Sequence, residues 1–66
     1  PIYNEIAQNI DTGEKFMINE LWKDKKVMLF LSSNYEDYLK AKKTGWKCFC
    51  TKEEFDVNEF MELIEV

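Results

Sequence analysis

Val27-Met28-Leu29-Phe30-Leu31 is apolar at every position and bounded by Lys26 and Ser32, and its reading decides the fold. Five residues are too few for an ordinary buried helix, whereas a strand covered on both faces reads as one continuous apolar run. The run is expected to be the central strand of a sheet. It then needs partner strands on its edges and helices on its faces.

Working outward toward the C-terminus, Ser33-Asn34-Tyr35-Glu36 has the capping-box pattern, with Asp37 in the first turn, Lys40, Lys42 and Lys43 in the last, and Gly45 just beyond. This spacing predicts a helix with Tyr35, Tyr38 and Leu39 on one face, and it assigns Ser32 and Ser33 to capping. Trp46 to Cys50 then reads as a strand, whose period of two puts Trp46, Cys48 and Cys50 on one side and Lys47 and Phe49 on the other. The last segment carries two nested start signals, Thr51-Lys52-Glu53-Glu54 and Asp56-Val57-Asn58-Glu59. The second is favoured because it places Phe55 and Phe60 as a hydrophobic staple. Val57, Phe60, Met61 and Ile64 would form the stripe that packs on the sheet.

Toward the N-terminus, Asp11-Thr12-Gly13-Glu14 is a turn in which Gly13 supplies a positive φ. The hairpin it implies has arms at roughly Glu5 to Ile10 and Lys15 to Ile18. Ile2, Ile6 and Ile10 also recur at helical spacing, so residues 2–10 stay open between strand and helix. Asn19-Glu20-Leu21-Trp22 is expected to open a single helical turn, with Asn19 as N-cap. The sum is one small α+β domain over residues 1–66, an N-terminal β-hairpin plus two further strands in one sheet packed by two amphipathic helices. Its core is expected around Phe16, Trp22, Phe30, Trp46, Phe49, Phe55 and Phe60.

What such a domain does is constrained by what it lacks. The chain has 66 residues with no His and no Arg. There is no imidazole to shuttle protons near neutral pH and no guanidinium to clamp a phosphate bidentately. A chain this short buries only about 60% of its unfolded surface, too little for a deep private cleft. No base stands near Ser32 or Ser33 in the sequence, and no motif calls for a cofactor. These absences point away from an enzyme. The start Pro1-Ile2-Tyr3-Asn4-Glu5 lacks a basic segment before an apolar stretch, and no apolar run is long enough to span a bilayer, so a cytoplasmic protein is expected.

The net charge of −4 is unevenly laid out: −3 over residues 1–14, +5 over 15–52 and −6 over 53–66. Glu59, Glu62 and Glu65 stack at i, i+3 and i+6 on the last helix with no lysine after Lys52, and Glu53 and Glu54 precede them. Like charges at this spacing cost about 0.2 to 0.5 kcal/mol per pair. A solvated face kept for solubility explains them, and so does an acidic surface that meets a basic protein partner. The second reading makes the protein a small regulator or inhibitor that occupies a macromolecule. The all-lysine basic set suits an A/T-rich genome, hence a phage or mobile-element inhibitor of a host nucleic-acid enzyme.

Two alternatives use other residues. Lys40, Lys43 and Lys47 with Tyr38 and Trp46 mix cations and stacking rings as single-stranded nucleic-acid binders do, although the acidic total opposes phosphate approach. Cys48 and Cys50 project from one strand face, the spacing of a two-thiolate metal clip or redox pair, and a homodimer would supply four thiolates. Against this, two free cysteines beside Trp46 also serve as small core residues. Of the three, contact with a protein through the glutamates is preferred.

Overall fold

The computed structural model describes residues 1–65. Strands β1 (Ile2–Gln8), β2 (Lys15–Trp22), β3 (Val27–Phe30) and β4 (Lys47–Cys50) form one sheet in the order β1-β2-β3-β4. Helix α1 (Tyr35–Lys42) links β3 to β4, which run parallel, and α2 (Val57–Ile64) follows β4. The apolar run is an inner strand as expected. Met28 and Phe30 enter a core beneath α1, while Val27 and Leu29 pack on the other face beneath α2.

The N-terminal hairpin is longer than the sequence suggests, and its first arm is a strand rather than a helix. Asn9 is buried; its Oδ1 accepts from the N–H groups of Asp11 and Thr12 at 2.8 and 3.2 Å, and Gly13 takes φ 77°. These bonds fold the turn locally, so the chain can pair from Gln8–Lys15 back to Ile2–Leu21. The expected helical turn at Asn19–Trp22 does not form. Glu20, Leu21 and Trp22 instead pair with Leu29, Met28 and Val27 in a second hairpin, closed through Lys26 at φ 57°. Asn19 is no N-cap. Its Oδ1 accepts from the Leu31 N–H and the Asn34 side chain at 2.9 and 3.0 Å, pinning the exit of β3.

Strict alternation would put Ile18 and Leu21 on opposite faces, yet both enter the α1-side core. The pleat shifts between them at the one opposed pair that makes no bridge, Asn4 and Asn19, with Asn4 at φ 55° and the β1–β2 register unchanged on either side.

Helix α1 begins without the expected capping box. Ser32–Asn34 form a 3-10 turn, and no side chain caps the helix. Ser32 Oγ instead lies 3.0 Å from the Thr51 hydroxyl. The inward residues of α1 are Tyr38 and Ala41, while Leu39 is exposed.

Helix α2 starts where expected. The Asp56 carboxylate accepts from the N–H groups of Asn58 and Glu59 at 2.9 and 3.2 Å, and the Phe55 and Phe60 rings lie 5.8 Å apart as the staple requires. Its buried stripe differs from the expected one. Phe60, Leu63 and Ile64 pack on the sheet, while Val57 and Met61 remain 60% and 47% exposed. Of the expected core rings, Phe16, Phe30, Phe49 and Phe60 are buried, and Trp22, Trp46 and Phe55 pack half-buried around them.

Candidate functional site

The outer surface of α2 is set by how its inner surface is held. Phe60 sits edge-on to Trp22 at 5.5 Å and to Phe49 at 5.1 Å, and Phe55 closes the group at 5.1 Å from Phe49. At the far end Lys25 Nζ donates to the backbone carbonyl of Glu65. With Phe60, Leu63 and Ile64 turned inward, the 3.6-residue period sends Val57, Asn58, Glu59, Met61 and Glu62 outward, all exposed. Glu65, just past the helix, is exposed too. Among the described residues the one ion pair joins Lys43 to Glu14 at 3.0 Å, so none of these three carboxylates is ion-paired, and Lys25 reaches Glu65 only through its backbone carbonyl. The surface is an acidic row bordered by two exposed apolar side chains.

Glu53 belongs elsewhere. Its carboxylate accepts from the Tyr35 and Tyr38 hydroxyls, each at 2.8 Å, which holds its pKa below the ordinary value and ties the loop after β4 to α1. Burial of the ring, then the bond to Glu53, pushes Tyr38 up to about 12. Lys52 lies over the Tyr35 ring at 4.3 Å and Lys42 over Tyr38 at 5.3 Å. Glu54 is exposed and makes no side-chain hydrogen bond among the described residues. The expected acidic set thus divides: Glu59 and Glu62 stand on α2, Glu65 lies past its end in extended backbone rather than on the helix as expected, and Glu53 serves α1.

The lysine and aromatic set is not brought together as a stacking platform. Tyr38 is 5% exposed and packs against Phe30, leaving no free ring face for a base. Lys43 is held by Glu14, and Trp46 packs on the α1-side core. Lys47 projects to the other face of β4, and Lys40 is half-buried on α1.

Cys48 and Cys50 share the α1-side face, as the period of two required. Cys50 is 1% exposed, with its thiol 3.7 Å from the Leu31 carbonyl. The Cys48 thiol lies 4.0 Å from Met28 Sδ, and burial pushes its pKa up to about 11, with Lys42 opposing. Such a thiol is almost wholly protonated near neutral pH, the form that neither attacks nor binds metal. No cluster of three or more Cys, Asp or Glu residues suited to a metal occurs among the described residues.

Two features escaped sequence reasoning. The exposure of Val57 and Met61 has no local signal, because the helical period alone admits them to the stripe. The Tyr35–Tyr38–Glu53 clamp joins residues 15 and 18 apart through a fold that had to be known first. Among the described residues no helix is long and apolar enough to cross a membrane. Compared with known proteins, the chain matches no family, no curated protein and no solved structure.

Proposed function

We propose that this protein is a non-enzymatic binding domain that occupies a basic, partly apolar site on a protein partner through the outer face of α2. The observation that carries this reading is the exposure of Val57 and Met61 beside Glu59, Glu62 and Glu65, whose carboxylates form no ion pair among the described residues. A face kept only for solubility needs the carboxylates but not the apolar side chains. Together they suit an interface in which apolar contacts bind and charge selects the partner and speeds encounter.

The partner class follows from the same chemistry. A surface that receives carboxylates in a row with apolar contacts between them resembles the cationic, ring-lined channels through which enzymes grip single-stranded nucleic acid. Occupying such a channel makes the domain an inhibitor of a nucleic-acid enzyme, consistent with an agent carried by a phage or mobile element. No side-chain chemistry is needed beyond contact.

The test places a photo-crosslinking amino acid at position 61 and, as a control, at exposed position 39 of α1, in cells of the source organism. The reading expects one protein crosslinked from 61 and not from 39, with that adduct lost in Glu59→Lys/Glu62→Lys/Glu65→Lys. The same adducts from both positions, or an adduct indifferent to the charge reversal, would refute it.

A further inference from the structure

The second exposed apolar surface lies along β1, an edge strand of the sheet. Four of the eight large apolar side chains left exposed, Ile2, Tyr3, Ile6 and Ile10, stand on or just beyond β1. Among the described residues β1 pairs only with β2, so its outer backbone edge is open over seven residues. Helix α1 packs on β2, β3 and β4, and a groove of about 550 Å³ runs along the flank of β1 past Ile2, Ile6, Leu21, Met28 and Trp46.

Edge strands are ordinarily guarded by shortness, by lysine or by distortion. The other edge, β4, has four residues and carries Lys47. In contrast, β1 has Glu5 as its only charge and no lysine, and its one distortion is at Asn4.

We propose that β1 pairs with β1 of a second copy of this chain, antiparallel about a two-fold axis, to join two four-stranded sheets into one of eight. The proposal rests on charge and side-chain self-complementarity and is independent of the α2 reading. A two-fold axis perpendicular to the sheet requires one residue to face its own copy, because directly opposed residues must project to the same face. With Asn4 distorted, the candidates are Glu5, Ile6 and Ala7. An axis at Glu5 sets two carboxylates directly opposite each other, which is destabilising. An axis at Ala7 sets Ile6 against Gln8 and leaves the isoleucines unmatched. An axis at Ile6 sets Ile6 on its own copy, Glu5 against Ala7 and Asn4 against Gln8, while Ile10 lies past the strand in the turn. The exposed Ile6 then meets its own copy, and no acid directly faces an acid. The two Glu5 side chains become diagonal neighbours about 7–8 Å apart, a residual repulsion that salt screens.

The test begins with sedimentation equilibrium of the intact chain. A concentration-dependent dimer is expected, strengthened by added salt and severalfold tighter in Glu5→Gln. Ile6→Lys, at a position 63% exposed and so tolerated by the fold, should be monomeric with an unchanged circular dichroism spectrum. Ile6→Cys should oxidise to a 6–6 disulfide, since directly opposed Cα atoms lie about 4.5–5.5 Å apart, within disulfide range. Ile10→Cys should not, because it stands in the turn past the end of the strand, well away from the axis and so from its own copy. Peptide mass identifies the linkage apart from Cys48 and Cys50. A monomer up to about 1 mM, a dimer that survives Ile6→Lys, or equal oxidation at positions 6 and 10 would overturn the proposal.

Discussion

The two faces of the sheet are finished differently. Beneath α1, Phe16, Ile18, Leu21, Met28, Phe30, Tyr38, Ala41 and Cys50 form one buried cluster, and polar ties surround it: Asn19 to Leu31 and Asn34, Glu53 to Tyr35 and Tyr38, and Asp37 to the Met17 N–H. Beneath α2, only Val27, Phe49 and Phe60 are buried, ringed by half-buried Trp22, Leu29, Phe55, Leu63 and Ile64. One face holds the domain together. The other attaches a helix by one stripe and leaves the rest of that helix exposed, so local opening of α2 should cost less than opening of α1.

The sharpest way to break this comparison is to empty each face in turn. Phe30 is 0% exposed at the centre of the α1-side cluster. Phe30→Ala should cost about 3–5 kcal/mol, against a total of roughly 3–10 kcal/mol for a domain of this length. The urea midpoint followed by circular dichroism should then fall steeply, with every element lost in the same transition. Phe60→Ala should act more locally, at about 3 kcal/mol. Native-state hydrogen exchange should show protection lost over residues 57–64 and retained in β2, β3 and α1. Equal loss on both faces would erase the distinction.

A change of pH probes the ties on the α1 side. Glu53 has its folded pKa held below the ordinary 4.5 by the two tyrosine hydroxyls, so its contribution is present above that pH and is lost as pH falls through the depressed value. Tyr38 works in the opposite sense. Its pKa rises from 10 to about 12, so its contribution is intact below pH 10 and disappears between the two values. Glu53→Gln should flatten the acid limb of the stability profile measured by chemical denaturation and reduce the alkaline limb, where burial of Tyr38 remains. A profile unchanged in shape would remove the clamp from the account.

Smaller effects belong to α2. Asp56→Ala removes the cap on two N–H groups and should destabilise by about 1 kcal/mol, read as faster exchange of the Asn58 and Glu59 amides with α1 unaffected. Smallest of all is the charge reversal of Glu59, Glu62 and Glu65. It relieves like-charge pairs worth about 0.2–0.5 kcal/mol each, so the thermal midpoint should stay level or rise slightly. A fall would mean that the glutamates hold the fold, and the contact reading would lose its footing.

How much of this was legible depended on whether the deciding partner was near in sequence. The run Val27–Phe30 announced an inner strand because burial on both faces leaves no polar position. Asp56 and Phe55 announced the start of α2 because cap and staple act within one turn. Asn19–Trp22 was misread because a strand there depends on pairing with Val27–Leu29, and a polar residue before an apolar pair looks locally like a cap. Val57 and Met61 fit the inward period but lie outside the arc that Trp22, Leu29 and Phe49 cover. In the candidate site, the placement of Glu59 and Glu62 on the outer helix face was visible from spacing, whereas Glu65 falls past the end of α2. The removal of Glu53 from the acidic row was not visible, since its two tyrosine partners lie on another element.

The central claim is that the outer face of α2 acts by contact while the α1 face maintains the fold. Its most direct test is the affinity of the protein crosslinked through position 61, purified, for the wild-type domain and for Glu59→Lys/Glu62→Lys/Glu65→Lys at low and high salt. At least a tenfold loss is expected on reversal, equivalent to about 1.4 kcal/mol or more, and weaker wild-type binding as salt rises, with both domains equally folded. Equal affinity for the two domains, unmoved by salt, would contradict it.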